Sequence, residues 1–150
     1  MKLDNKNTLS FIIFLLIILT CVIFFKNSNI FGGNPKGLIA INGKTIVVEK
    51  VFDSQKMELG LGKRKNICQN CGMLFVFPGP GKRSFWMKDM QFDLDILWLN
   101  NKKIVHIEKN VSAKFAGILS PDKLADQVLE IPAGFADKIG IKEGDLVKEQ

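Results

Sequence analysis

Phe92-Asp93-Leu94-Asp95-Ile96-Leu97-Trp98-Leu99-Asn100-Asn101-Lys102-Lys103-Ile104-Val105-His106-Ile107-Glu108 reads as two strands joined by a polar turn. Side chains alternate across a strand, so Phe92, Leu94, Ile96 and Trp98 share one face and Asp93, Asp95, Leu97 and Leu99 the other. Asn100-Asn101-Lys102-Lys103 supplies the turn, and Ile104–Glu108 returns as the partner strand. On that partner, His106 alternates with Ile104 and Glu108 on one face. Short strands of this kind, at close spacing with non-adjacent partners, suggest a compact barrel or sandwich.

Outward from this hairpin the same signals recur. Asn42-Gly43 separates Leu38-Ile39-Ala40-Ile41 from Thr45-Ile46-Val47-Val48 and predicts a second hairpin. Asp53 or Ser54 can cap a helix running through Lys65, although Gly60 and Gly62 oppose it. Met73–Phe77 is a continuous apolar run, the pattern of a fully buried strand, stopped by a rigid Pro78-Gly79-Pro80-Gly81 turn. Ser84–Met87 and Val128–Ile131 read as strands. Ala133–Ile139 reads as a short helix closed by Gly140, and Glu143-Gly144-Asp145 turns into Leu146-Val147. The expected fold class is α+β: a compact β-rich barrel or sandwich with two short helices, preceded by one N-terminal transmembrane helix.

That last element rests on Leu9–Phe25, a run free of charge, glycine and proline. At 1.5 Å per residue it spans roughly 26 Å, the short end of what crosses a hydrocarbon core. Lys26-Asn27-Ser28-Asn29 offers no small-residue cleavage site, and Thr20 before Cys21 departs from a lipidation signal. An uncleaved signal anchor is the remaining reading. Residues 1–8 then form a short cytoplasmic tail, 9–25 the membrane anchor, 26–36 a linker rich in Asn, Gly and Ser, and 37–150 the folded domain. The basic N-terminal residues Lys2 and Lys6 favour an extracytoplasmic domain.

Composition narrows the function. The chain has 150 residues, 47% hydrophobic and 24% charged, which excludes a disordered or collagen-like protein. Its three cysteines exclude a disulfide-dense scaffold, and its one histidine excludes an H-E-x-x-H hydrolase. The 21 basic and 15 acidic residues leave a net charge of +6, but the lysines are scattered, with no basic run longer than Lys63-Arg64-Lys65, so nucleic acid is not an expected partner. No phosphate-binding glycine loop and no nucleophile elbow is present.

Four features could carry chemistry. Cys68-Gln69-Asn70-Cys71 has the spacing of a disulfide, a redox pair or two ligands of a zinc ion; a structural bridge is the default outside the cytoplasm. A zinc site would need His106 and a carboxylate as well, so no cofactor is expected beyond that one candidate. Asp93 and Asp95 could bind a cation or divide acid and base roles, but a buried Asp95 paired with Arg64, Arg83 or Lys88 is the stronger expectation. Trp86 and Lys88 share a face opposite Phe85 and Met87, and an exposed Trp beside a cation could stack on a ligand ring. His106 reads as a half-exposed sheet residue.

Six blocks occur in order: Gly60-Leu61-Gly62-Lys63-Arg64, Gly72–Phe77, Phe85-Trp86-Met87-Lys88, Leu94-Asp95-Ile96, Val128–Gly134 and Gly140-Ile141-Lys142 with Gly144-Asp145. Together they resemble the DUF192 family, a prokaryotic domain often carried behind a signal or anchor segment. The resemblance covers about residues 44–147. It implies a small β-rich α+β fold and no activity, the family being named for having none established. Gly62 stands where the family usually has Met, Asp89-Met90 where Asn-Thr is common, and Asp93 where Pro is common.

These features lead to a membrane-anchored, extracytoplasmic binding module rather than an enzyme. Arg64, Trp86, Lys88 and Asp95 are its candidate ligand face, and an envelope saccharide, a small anion or a protein is its partner. A thiol redox or metal-binding protein built on Cys68 and Cys71 is the alternative, and a hydrolase using Asp93 and Asp95 stands third.

Overall fold

The two predicted hairpins both form, and their turns carry the backbone signature of type I′. Asn42 and Gly43 have φ of 50° and 74°, Asn101 and Lys102 of 50° and 62°, the twist that matches paired strands. The computed structural model describes residues 33–150, of which Pro35–Gln150 form one compact unit. The described strands are β1 (Lys36–Ile41), β2 (Lys44–Val51), β3 (Cys71–Lys82), β4 (Leu94–Asn100), β5 (Lys103–Val111), β6 (Leu124–Pro132) and β7 (Lys148–Glu149). Helix α1 (Ser54–Leu59) lies between β2 and β3, and α2 (Phe135–Lys138) follows β6.

All these strands join one sheet in the order β5-β4-β6-β3-β2-β1-β7. Only β2 and β3 run parallel, and a parallel pair needs a crossover, which α1 and the chain after it supply. The sheet curls until its ends meet at a short seam. There Leu146 bridges Lys103, and the Val147 amide donates to the Lys102 carbonyl at 2.8 Å. The barrel-like β-rich expectation with two short helices holds.

Both faces of the central strands are covered. The concave face packs Ile39, Ile41, Ile46, Val48, Leu74, Leu97, Leu99, Leu129 and Ile131 into the interior. The outer face packs Met73, Phe75, Leu94, Ile96, Trp98 and Val128 under Leu61 and Met87 from the connecting segments. Burial on two sides explains why β3 and β4 read as continuous apolar runs. Burying each such side chain stabilises the fold by about 1.5–3 kcal/mol.

Several expected elements differ in extent. The helix expected through Lys65 stops at Leu59 because Gly60, with φ of 52°, leaves the helical region. Pro78-Gly79-Pro80-Gly81 is not a turn but an extended part of β3. The ladder to β6 skips from Val76 to Gly81, since two prolines in that stretch have no amide to donate. Ser84–Met87 forms no strand; Phe85 alone bridges Leu119. The last strand lies at Lys148–Glu149 against β1, one step beyond the expected Leu146-Val147. Among the described residues no helix is long and apolar enough to cross a membrane. The expected span over 9–25, its tail and Cys21 lie outside the described residues.

Candidate functional site

The outer face of the sheet carries an acid where its neighbours are apolar. Glu130 lies in β6 between β3 and β4, opposite Met73 and Ile96. It is 4% exposed, and its Oε2 has no hydrogen-bond partner. Burial pushes its carboxyl from an ordinary 4.5 up to about 8, against the smaller opposing pull of the Arg64 cation. A charge withdrawn from water without compensation favours its neutral form.

Two segments cross above Glu130 and leave a cleft of about 320 Å³ between them. The first is α1 with the residues after it. Asp53 starts this helix, its Oδ1 accepting from the Gln55 and Lys56 amides at 3.0 and 3.1 Å. At the other end a Cβ on Gly60 would lie 3.7 Å from Glu130 Oε2 and 3.4 Å from the Phe75 ring. The chain therefore passes directly over the carboxyl. The second segment is Ser84–Met90. It is held by the paired Phe85–Leu119 backbone bonds at 2.8 and 2.9 Å. The Phe85 ring adds edge-on contacts to Phe75 and Trp98, with centroids 5.0 and 5.9 Å apart. The segments are tied together where the Lys63 amide donates to the Asp89 carbonyl at 2.8 Å. They approach so closely that a Cβ on Gly62 would meet the Lys88 carbonyl at 3.3 Å.

Trp86 and Lys88 line this cleft together with Met57, Leu59, Phe77 and Met90, and Ser54, Glu58 and Ser84 add polar atoms. Trp86 is 42% exposed, whereas Met87 is buried. The alternation read from the sequence thus survives without a strand, because Phe85 and Met87 are the residues drawn into the outer core.

Of the expected ligand face, Trp86 and Lys88 are brought together. Arg64 stands beside the cleft but is engaged: its guanidinium makes a bidentate pair with Glu49 at 2.5 and 2.9 Å. That bonding raises its pKa further. Asp95 is a correction. It is fully buried and pairs with none of Arg64, Arg83 or Lys88. Instead its Oδ1 accepts from the Asn110 amide and its Oδ2 from the Ala136 amide, both at 2.8 Å. Ala136 is in the first turn of α2, whose N-cap residue Gly134 has no side chain to offer. Asp95 therefore caps that helix from a neighbouring strand. Asp93 Oδ1 likewise accepts a backbone amide, that of Ala113 at 2.7 Å.

Cys68 and Cys71 are disulfide-bonded, with Cα atoms 5.1 Å apart, on the turn that enters β3. Neither lines the cleft. Among the described residues no group of three or more His, Cys, Asp and Glu side chains could hold a metal ion. His106 is half-buried, its Nε2 2.9 Å from Glu108 and its ring 5.5 Å from that of Trp98. A register shift opposite Trp98 and Leu99 puts it on the outer face with Trp98. It does not share the interior face of Ile104, as simple alternation predicted.

Glu130 is the site residue that sequence reasoning missed. The signal was available, since a lone acid inside Val128-Leu129-Glu130-Ile131 is the same kind of anomaly that drew attention to Asp95.

The curled sheet and its aromatic cleft over a buried acid define a small β-rich α+β domain with an external recess beside its crossover. The chain belongs to the DUF192 family, described as an uncharacterized ACR, whose pattern matches residues 37–148. It is 32% identical over 90 residues to the UPF0127 protein TK1120 of Thermococcus kodakarensis, a match covering 59% of this chain and 55% of that one. The match thus spans about half the length of that curated relative. Two crystal structures are similar at 27% identity and a TM-score of 0.74. One is a Sinorhizobium meliloti protein provisionally described as a transcription regulator, with 77% of this chain and 95% of that one covered. The other is a Novosphingobium aromaticivorans protein of unknown function, with coverages of 79% and 89%.

Proposed function

We propose that the domain is a small-molecule binding module, held outside the cytoplasm by an anchor over residues 9–25, whose ligand enters the cleft between α1 and Trp86. The observation that carries this reading is the Glu130 carboxyl, buried at the cleft and without a partner for Oε2. Buried polar groups are normally satisfied, so a native orphan facing a recess calls for an unseen partner. A volume of about 320 Å³ is at the small end of ligand pockets. That size favours a small organic ligand over a protein. Glu58 offsets Lys88 in the lining, which leaves no net positive charge to hold a small anion. Trp86 offers the flat, half-exposed face on which a ring such as a saccharide's could stack. The disulfide between Cys68 and Cys71 supports a staple of the turn before β3 and adds nothing specific to a redox role.

The test is a fragment library of small organic molecules screened against the full-length protein by NMR of its two indole N–H signals. Trp98 donates to the Arg83 carbonyl at 2.8 Å inside the core and serves as the internal control. Fragments that shift the Trp86 signal and not that of Trp98, and that lose this effect in Trp86-adjacent variants such as Leu59→Trp, support the reading. A library that leaves Trp86 unmoved refutes it.

A further inference from the structure

From the aromatic lining of the cleft and the buried, incompletely satisfied acid at its base we infer that its ligand is an organic ammonium, an amine on an apolar body, whose N–H groups bond to the Glu130 carboxyl. This rests on the cleft being a ligand site and adds the chemistry of the ligand's head group.

The walls argue for it. Phe77, Phe85, Trp86, Met57, Leu59 and Met90 surround the opening to Glu130. Aromatic faces attract cations, and thioethers are polarizable and adaptable. The Glu130 carboxyl is an acceptor when ionised, and a cationic donor supplies both a hydrogen bond and a compensating charge. A carboxylate ligand would instead meet Glu58 against the one lysine of the lining, Lys88, and would gain a second repulsion as Glu130 ionises near pH 8. A neutral hydroxyl could bond to the protonated carboxyl, but its affinity would not rise with pH as an ammonium's does.

The surrounding charges do not supply that partner themselves. From β2, Glu49 is bound to Arg64, which follows α1. From α1 comes Glu58, and from the Ser84–Met90 segment Lys88; the residues facing Glu130 from β3 and β4, Met73 and Ile96, do not titrate. His106 on β5 is turned toward Glu108 and Glu143.

Binding of an ammonium requires the Glu130 proton to leave to solvent. With the carboxyl raised to about 8, affinity should climb about ninefold from pH 6 to pH 7, about fivefold from pH 7 to pH 8, and level off above that.

A matched series tests this: phenethylammonium, 2-phenylethanol and phenylacetate share a body and differ in head-group charge. Each is titrated into the full-length protein at pH 6, 7 and 8, with the Trp86 indole signal as readout. Phenethylammonium is expected to bind best at pH 8, with the stated pH dependence, and Glu130→Gln should abolish both its advantage over 2-phenylethanol and its pH dependence. If 2-phenylethanol or phenylacetate binds as well or better at pH 8, the ammonium inference is overturned and the cleft remains a ligand site. If none of the three moves Trp86, this inference is overturned as well, and the fragment library then decides separately whether the cleft binds anything.

Discussion

Replacing Glu130 by Gln should make the protein more stable, and by an amount that depends on pH. The folded-state carboxyl titrates at about 8 and an unperturbed one at 4.5. Below pH 4.5 both folded and unfolded chains hold the proton, and Glu130 carries no electrostatic penalty. Between 4.5 and 8 the folded chain keeps a proton that the unfolded chain has lost, so stability falls as pH rises, by about 1.4 kcal/mol per unit. The accumulated penalty is about 3 kcal/mol at pH 7 and about 5 kcal/mol above pH 8, an upper bound if water enters the cleft. Gln is nearly isosteric and does not titrate, so it removes the slope. Urea unfolding followed by Trp fluorescence, repeated from pH 4.5 to 8.5 on both proteins, gives the difference directly. Curves that diverge with pH and then run parallel above 8 support the argument. A constant offset across the range would refute it, because the buried carboxyl would then be no more perturbed than a surface one.

Other substitutions probe the supports of the site. Arg64→Ala leaves Glu49 buried without its bidentate partner; it should cost about 3 kcal/mol in urea unfolding, and an NMR titration should show the Glu130 carboxyl pushed higher still. Asp95→Ala orphans the Asn110 and Ala136 amides and should also cost about 3 kcal/mol, with hydrogen exchange at Ala136 accelerating ahead of the rest of the core. Changing Cys68 and Cys71 together to Ser opens a four-residue loop, a loss of about 2 kcal/mol in the chain-entropy account. Because neither sulfur lines the cleft, the Trp86 response to ligands should be unchanged in that variant.

The architecture was readable where local rules suffice. Both Asn-centred turns announced their hairpins, and the faces assigned to Leu94, Ile96 and Trp98 against Leu97 and Leu99 are those that pack into the two clusters. Trp86 and Lys88 line one cleft, without the strand expected there, because the core takes their neighbours Phe85 and Met87. What failed required long-range information. Asp95 is satisfied by amides 15 and 41 residues away, which no local pattern reveals, so an ion pair seemed the obvious partner. One register shift sent His106 to the wrong face. Backbone placement over Glu130 depends on where the chain leaves α1 at Gly60, and the cleft exists only because three distant segments meet there.

The most direct measurement is a crystal structure of the protein soaked in several small organic solvents. The account predicts probe molecules clustered between Leu59 and Trp86, with a donor group on the Glu130 carboxyl. Probes gathered elsewhere on the surface, with the recess holding none, would contradict it.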